Sequence, residues 1–147
     1  MKTAAVGMAC LIIVFVAAPA LAKDSFLERL RKMYGTPRAI NNCQMCHHPD
    51  KAKDEEPDQT NLNDFGKDLA NLPLMKPLIE AEHDHEYTVK EWEKFEQAVR
   101  SIENEDSDKD GATNREELSL GTYPGEKSST PASDALKAFR EKAAEKK

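Results

Sequence analysis

One five-residue motif restricts the possible folds of this chain more than any other feature. Residues 43–47 read Cys43-Gln44-Met45-Cys46-His47, which is C-x-x-C-H. Two intervening residues bring both sulfur atoms to one side of a helical turn, and this is the motif by which c-type haem is attached. Each thiol forms a thioether to one haem vinyl group, and the ring nitrogen of His47 binds the iron as its proximal ligand. The motif therefore predicts one covalent haem c held by Cys43, Cys46 and His47.

Two other uses of these cysteines compete with haem attachment. Cys43 and Cys46 could form a disulfide or a thioredoxin-like redox pair, but such pairs usually lie in a βαβ setting, and the sequence has little strand signal. A zinc site could combine both cysteines with His83 and His85, although a C-x2-C…H-x-H spacing is not among the common zinc patterns. The histidine directly after the second cysteine favours haem.

The first 22 residues have the features of a secretory signal peptide. A basic start at Lys2 is followed by an apolar stretch over 4–18, and residues 19–22 read Pro-Ala-Leu-Ala, an A-x-A-like cleavage end. We expect cleavage after Ala22 and a periplasmic or secreted mature chain, which suits haem attachment outside the cytoplasm. Because no later stretch reaches 18 apolar residues, we expect no membrane span in the mature chain.

Composition supports a domain that needs help to build its core. Of the first 22 residues, 18 are apolar, so the mature chain is only about 31% apolar, below the usual value of about 45–50%. Loss of Lys2 with the leader also changes the net charge from −6 to −7. An acidic chain is a poor candidate for nucleic-acid binding. Because so small a domain struggles to bury enough apolar surface, a cofactor is expected to supply part of the core.

The spacing of apolar residues predicts an all-α chain. Amphipathic helices are expected over 25–34, 61–71 and 88–103, the first and the last of which begin with Ser25/Glu28 and Thr88/Glu91 capping boxes. Residues 72–78 contain two prolines and are not expected to form regular helix. A Ser/Pro-rich linker leads to an Ala/Lys/Glu tail with a helix-forming composition.

An acidic segment near the C-terminus has the spacing of a calcium loop. Residues 106–117 fit D-x-[DN]-x-[DN]-G-x5-E over all twelve positions, and Gly111 allows the sharp turn. The helix predicted over 88–103 precedes the loop, as in an EF-hand. The alternative is an acidic turn that binds nothing. The predicted ligands of one calcium ion are Asp106, Asp108, Asp110, the carbonyl of Ala112, Asn114 and Glu117.

The loop differs from a paired EF-hand in two ways. Position 8 is Thr113 instead of a branched apolar residue, and the chain has no second loop of this kind. The loop resembles the lone calcium loops of thrombospondin type 3 and dockerin-like modules, a resemblance that the following Gly-Thr-Tyr-Pro-Gly at 121–125 supports. Extracellular modules bind calcium at about 10⁻⁴–10⁻³ M, so we expect a structural ion rather than a sensor.

In the order of its elements, the chain resembles the small exported monohaem c-type cytochromes of the class I type. The resemblance covers residues 25–103: an amphipathic helix, C-x-x-C-H, a Pro-rich segment with a methionine, and a second amphipathic helix. It implies a small helical fold around one haem, in which the first and last helices cross and the methionine is the second axial ligand. Met75 is the candidate for that role, with His83, His85 or an open position as alternatives.

A wider pattern covers residues 38–125. It combines C-x-x-C-H, a segment like Leu-Asn-Asp-Phe-Gly-Lys at 62–67, and the Asp-rich loop ending in Gly-Thr-x-Pro-Gly, and it resembles a group of small exported c-type cytochromes. This resemblance implies the two cofactors more than it implies a role.

These features together predict an electron carrier. The expected organisation is a signal peptide (1–22), a cytochrome c-like domain with the calcium loop (23–125), and a linker with a charged tail (126–147). The haem would exchange single electrons with redox partners in the periplasm or membrane, and no residue pattern indicates an enzyme. Two alternatives are a haem enzyme or gas sensor with an open distal position, and a calcium-dependent surface or assembly module. The oligomeric state stays open.

Overall fold

The computed structural model describes residues 24–40, 42–48, 61–81 and 85–145, and the predicted signal peptide and His83 lie outside them. The described part of the chain is mostly helical, as the sequence predicts, and its one β pairing is an isolated antiparallel bridge between His47 and Leu62. Two 3₁₀ turns lie between the first two helices, at Arg38–Ile40 and Cys43–Met45. The α-helices are α1 (Asp24–Tyr34), α2 (Asp64–Ala70), α3 (Lys76–Ile79), α4 (Val89–Ile102), α5 (Asn114–Leu120) and α6 (Ser133–Ala144).

The two long amphipathic helices lie close to their predicted positions. Helix α4 begins after Thr88, whose hydroxyl accepts from the Glu91 N–H, and the predicted capping box is confirmed. Helix α1 begins at Asp24, so Ser25 lies inside the helix instead of before it. The predicted Ser25/Glu28 capping box is therefore wrong, and the Glu28 carboxylate accepts from Arg31 one turn later.

The two short helices depart further from the sequence pattern. The helix predicted over 61–71 begins at Asp64, because the side chain of Asn63 accepts from the Gly66 N–H and acts as the N-cap. The prediction that residues 72–78 form no regular helix is wrong for residues 76–78, which belong to α3. Pro77 lies in the first turn of α3, where a missing backbone N–H costs no hydrogen bond.

A single cluster of buried side chains joins α1 to α5. Aromatic rings extend it at one end of α4, where Phe26 of α1 lies 4.8 Å from Phe95 and 5.5 Å from Trp92, measured between ring centroids. At the other end, the Tyr34 hydroxyl donates to the Glu103 carboxylate at 2.8 Å. The fully or almost fully buried apolar side chains of the cluster are Leu30, Ile40, Met45, Phe65, Leu69, Met75, Leu78, Phe95, Ala98, Val99, Ile102 and Leu118.

The chain after α4 folds back on the domain. Helix α5 packs against α1, and the tail helix α6 packs against α5. None of the helices in the described ranges has both the length and the hydropathy needed to cross a membrane.

Candidate functional site

The C-x-x-C-H motif forms one tight turn. The Asn42 side chain accepts from the Gln44 N–H at 2.9 Å and so caps the 3₁₀ turn that begins at Cys43. The carbonyl of Cys43 accepts from the N–H groups of Cys46 (3.3 Å) and His47 (3.0 Å). Cys43 and Cys46 are therefore the first and last residues of a single turn, as the sequence spacing predicts. His47 directly follows this turn.

Both cysteines are free thiols. Cys43 is exposed and Cys46 is half-buried. Burial raises the pKa of the Cys46 thiol to about 12, so this group stays protonated at neutral pH.

One of the four candidate zinc ligands, His83, lies outside the described residues. Among the described residues, ligand atoms of three or more His, Cys, Asp or Glu side chains come together at Asp106, Asp108 and Asp110, a group without a cysteine or histidine. His85 is engaged elsewhere: its Nε2 lies 3.1 Å from the Glu91 carboxylate. Its ring also packs edge-on against Tyr87.

The turn is held by the segment that leads into α2. The His48 N–H donates to the Asn61 carbonyl at 3.0 Å, and His47 and Leu62 form the β-bridge. Asn63 is completely buried and reaches across to the turn with its side-chain amide, which donates to the carbonyls of Gln44 (2.9 Å) and Met45 (3.2 Å). In the sequence, Asn63 stands out only as part of the Leu-Asn-Asp-Phe-Gly-Lys segment at 62–67, without a role of its own. Its position directly before the short helix, where Asn is a preferred N-cap, was the available signal.

The candidates for the distal iron ligand differ in their surroundings. Met75 is buried, with 4% of its surface exposed, and belongs to the same core cluster as Met45 of the motif. His85 is exposed. Met75 stays the preferred candidate, because it shares the apolar cluster that contacts the motif.

A partly open groove of about 370 Å³ lies beside this region. Its lining includes Leu62, the bridge partner of His47, and Lys76, which follows Met75 in the sequence. The lining residues are Leu62, Lys67, Ala70, Asn71, Lys76, Ile79 and Glu80.

Backbone N–H groups of the acidic loop donate to its aspartate side chains. The Asp106 carboxylate accepts from the N–H groups of Asp110 (3.1 Å) and Gly111 (2.9 Å), and Asp110 accepts from the Ala112 N–H (2.8 Å). Gly111 has a φ of 99°, which glycine adopts without a steric penalty. Carboxylate oxygens of Asp106, Asp108 and Asp110 lie within 4.8 Å of one another.

Several other side-chain oxygens of the loop are buried and have no hydrogen-bond partner, and a bound cation would provide one. Glu117 is completely buried, and its Oε2 has no hydrogen-bond partner. Asn114 uses its Nδ2 to donate to Ile102 O and Ser107 Oγ, which leaves its buried Oδ1 without a partner. One buried carboxylate oxygen of Asp108 and one of Asp110 also have no hydrogen-bond partner. These four buried oxygens belong to four of the predicted calcium ligands, and oxygen is the atom that calcium binds, so the residues fit this ion.

Two carboxyl groups of the loop, those of Asp108 and Glu117, have raised pKa values. Burial and the charges of Asp108 and Asp110 raise the pKa of Glu117 to about 9. Burial and the neighbouring Asp110 raise the pKa of Asp108 to about 6. Carboxylates that are so hard to ionise favour a partner with positive charge.

The tail helix also contacts the loop. Arg140 of α6 donates to both carboxylate oxygens of Glu116, at 2.7 and 2.9 Å, and to the Gly111 carbonyl at 2.9 Å. Glu116 also caps α5, since its carboxylate accepts from the Thr113 N–H. Sequence reasoning did not identify this contact, because 24 residues separate the two partners.

Comparisons of this chain with protein-family models, curated proteins and solved structures find no match.

Proposed function

We propose that this protein is an exported electron carrier with one covalent haem c, whose C-terminal half is stabilised by one calcium ion. The observation that carries the proposal is the motif turn. Two free thiols lie on a single 3₁₀ turn, and a histidine follows at once. Export through residues 1–22 would bring the chain to the compartment where c-type haem is attached.

The residues of the turn would act as follows. The thiols of Cys43 and Cys46 would each add across one vinyl group, with sulfur bonding one carbon and the thiol hydrogen moving to the other, so that no oxidant is consumed. His47 would bind the iron, and Met75 is the proposed second ligand. The bound haem would supply the one-electron ferrous/ferric couple.

The calcium loop would link α4 to α5, the helix against which the tail helix α6 packs. Glu117 and Asn114 lie in α5, while Asp106 follows α4, so an ion bound by all three would fix the angle between these helices. The support for this part is the set of orphaned, buried oxygens, and Ala112 would contribute its carbonyl as in other twelve-residue loops.

The haem proposal is tested on the full chain, exported from cells that attach c-type haem. We expect a haem that remains with the chain after organic extraction, a six-coordinate low-spin ferric spectrum and a single one-electron wave in a potentiometric titration. The control is the double variant Cys43→Ser/Cys46→Ser, from which extraction should remove any haem.

Other outcomes would redirect the proposal. A high-spin haem that binds carbon monoxide when reduced would replace the electron carrier with the open-site enzyme or sensor. A wild-type chain without covalent haem would refute the proposal.

A further inference from the structure

Asn63 uses every polar group it has, and most of them face the C-x-x-C-H turn. Its backbone N–H donates to the Cys46 carbonyl at 2.9 Å, and its side-chain amide donates to the carbonyls of Gln44 and Met45. Three consecutive carbonyls of the motif therefore accept from one residue. The Oδ1 of Asn63 accepts from the Gly66 N–H at 2.8 Å.

The turn needs these donors because it ends abruptly. The backbone leaves helical geometry at Cys46, with φ −123° and ψ −11°, so the carbonyls that precede it have no next turn to bond. Buried carbonyls without a partner are costly. An amide is the side chain that offers two N–H donors and one acceptor from a single position. An aspartate at 63 would keep the helix cap and lose both donations.

The surroundings leave Asn63 little freedom to move. A Cβ at Gly66 would overlap the carbonyl oxygen of Cys46, so α2 lies directly against the turn. On its other side, a Cβ at Gly125 would overlap the Asn63 amide. A further contact joins the same segments, since the Asn42 Nδ2 donates to the Tyr123 hydroxyl at 2.9 Å. The motif turn, the segment 62–67 and the segment 121–125 thus meet at Asn63.

We infer that Asn63 is the positioning residue of the haem-attachment turn: it holds the Gln44, Met45 and Cys46 carbonyls in a row, so that the two thiols and His47 are presented together. This inference rests on the proposed function. Asn63 touches no reacting atom in this role. It lowers the number of conformations that the turn samples before the thioethers form.

The test compares Asn63→Asp with Asn71→Asp in the exported full chain. Asn71 ends the same helix and is exposed, so this control introduces the same charge without a buried contact. The readouts are the mass of the purified chain, which counts attached haem, and the α-band of its pyridine haemochrome, which separates one thioether from two. We expect Asn63→Asp to lower the fraction of chains with two thioethers about tenfold, and Asn71→Asp to leave it unchanged.

Further variants separate positioning from general stability. Asn63→Ser also retains a cap acceptor and carries the test if the aspartate variant does not accumulate. Leu118→Ala removes a completely buried side chain of α5, outside the motif, and should lower the melting temperature without lowering attachment. In the Asn63 variants that do attach haem, we expect a shifted reduction potential, which a loss of stability alone would not cause.

The outcomes distinguish this inference from the function beneath it. If wild type and the Asn63 variants attach two thioethers equally and share one potential, Asn63 is not a positioning residue, while the haem proposal stands. If Leu118→Ala lowers attachment as much as Asn63→Asp does, the effect is one of stability and the inference fails. If wild type attaches no haem, both proposals fail.

Discussion

Arg140 of the tail helix and Glu116 of the acidic loop form a two-pronged ion pair, with N–O distances of 2.7 and 2.9 Å. The Glu116 side chain is largely buried, whereas half of the Arg140 side chain is exposed. Helix α6 has no fully buried residue of its own, and isolated helices of about 12 residues are marginal in water. The ion pair is therefore a main attachment of the tail to the domain.

Replacement of Arg140 should release the tail. In Arg140→Gln we expect faster amide exchange throughout α6, because one charge-assisted pair and the bond to Gly111 disappear. Hydrogen exchange measured by mass spectrometry checks this. Lys137→Gln is the control, since its contact with Glu141 is 3.9 Å long and exposed. Equal protection of α6 in both variants would contradict the prediction.

Calcium should stabilise the wild-type chain and not Glu117→Gln. At a calcium concentration of 10–100 times the Kd, binding adds about 1.4–2.7 kcal/mol to the free energy of unfolding. Because the pKa of Glu117 is raised to about 9, this group is protonated at pH 7 without calcium, and glutamine imitates that neutral form. We therefore expect similar melting temperatures for both chains in chelator, and a calcium-dependent rise for wild type alone.

The exposed Glu105, which precedes the loop, provides the matched control. Glu105→Gln should keep the calcium response of wild type. A wild-type melting temperature that ignores calcium would show that the loop is an acidic turn without an ion.

Replacement of Gly66 should destabilise the contact between α2 and the motif turn. Gly66→Ala would gain about 1 kcal/mol from helix propensity alone. Its Cβ would overlap the Cys46 carbonyl, however, and overpacking of this kind costs about 1–3 kcal/mol. We expect the melting temperature to fall, as measured by circular dichroism, while Lys67→Ala at the exposed next position has little effect. A rise for Gly66→Ala would mean that α2 and the turn can separate freely.

The stability of the protein should decrease in acid, because the Glu91 carboxylate is part of the cap of α4. Hydrogen bonds from the Thr88 hydroxyl and N–H lower the pKa of Glu91 to about 2. A lowered folded-state pKa contributes stability above the unfolded value of about 4.3, and this contribution disappears as the pH falls toward 2. Glu91→Ala should thus be less stable than Glu93→Ala at pH 6 and equal to it near pH 2. Urea titrations at both pH values measure the difference, and a gap that persists at pH 2 would count against the cap.

Met75→Leu tests the proposed distal ligand. The substitution conserves volume, so it should cost less than about 1.5 kcal/mol of stability. If Met75 binds the iron, the reduced variant should bind carbon monoxide and the wild type should not. The control is Met33→Leu, because Met33 is a half-buried residue of α1. This variant should behave as wild type. A six-coordinate Met75→Leu variant would direct attention to His83 or His85.

Patterns of neighbouring residues predicted part of the fold well. Helix α4 follows its capping box and its apolar stripe, because the i, i+3 and i+4 contacts that define both are local. The predictions were wrong at Ser25, which lies inside α1, and at Pro77, which lies in the first turn of α3. The exact residue at which a helix begins depends on the hydrogen-bond donors and acceptors nearby.

The amino-acid sequence alone determined the chemistry that this chain can offer: two thiols and a histidine on one turn, and six oxygen donors in one loop. Only the tertiary structure decided what surrounds them. It placed Asn63 against three carbonyls of the motif, buried Glu117 beneath the aspartates, and joined Arg140 to Glu116. The side-chain bonds of Asn63 to the motif and the Arg140–Glu116 ion pair join residues 18 to 24 positions apart. All three relations depend on which groups folding removes from water, which no local pattern records.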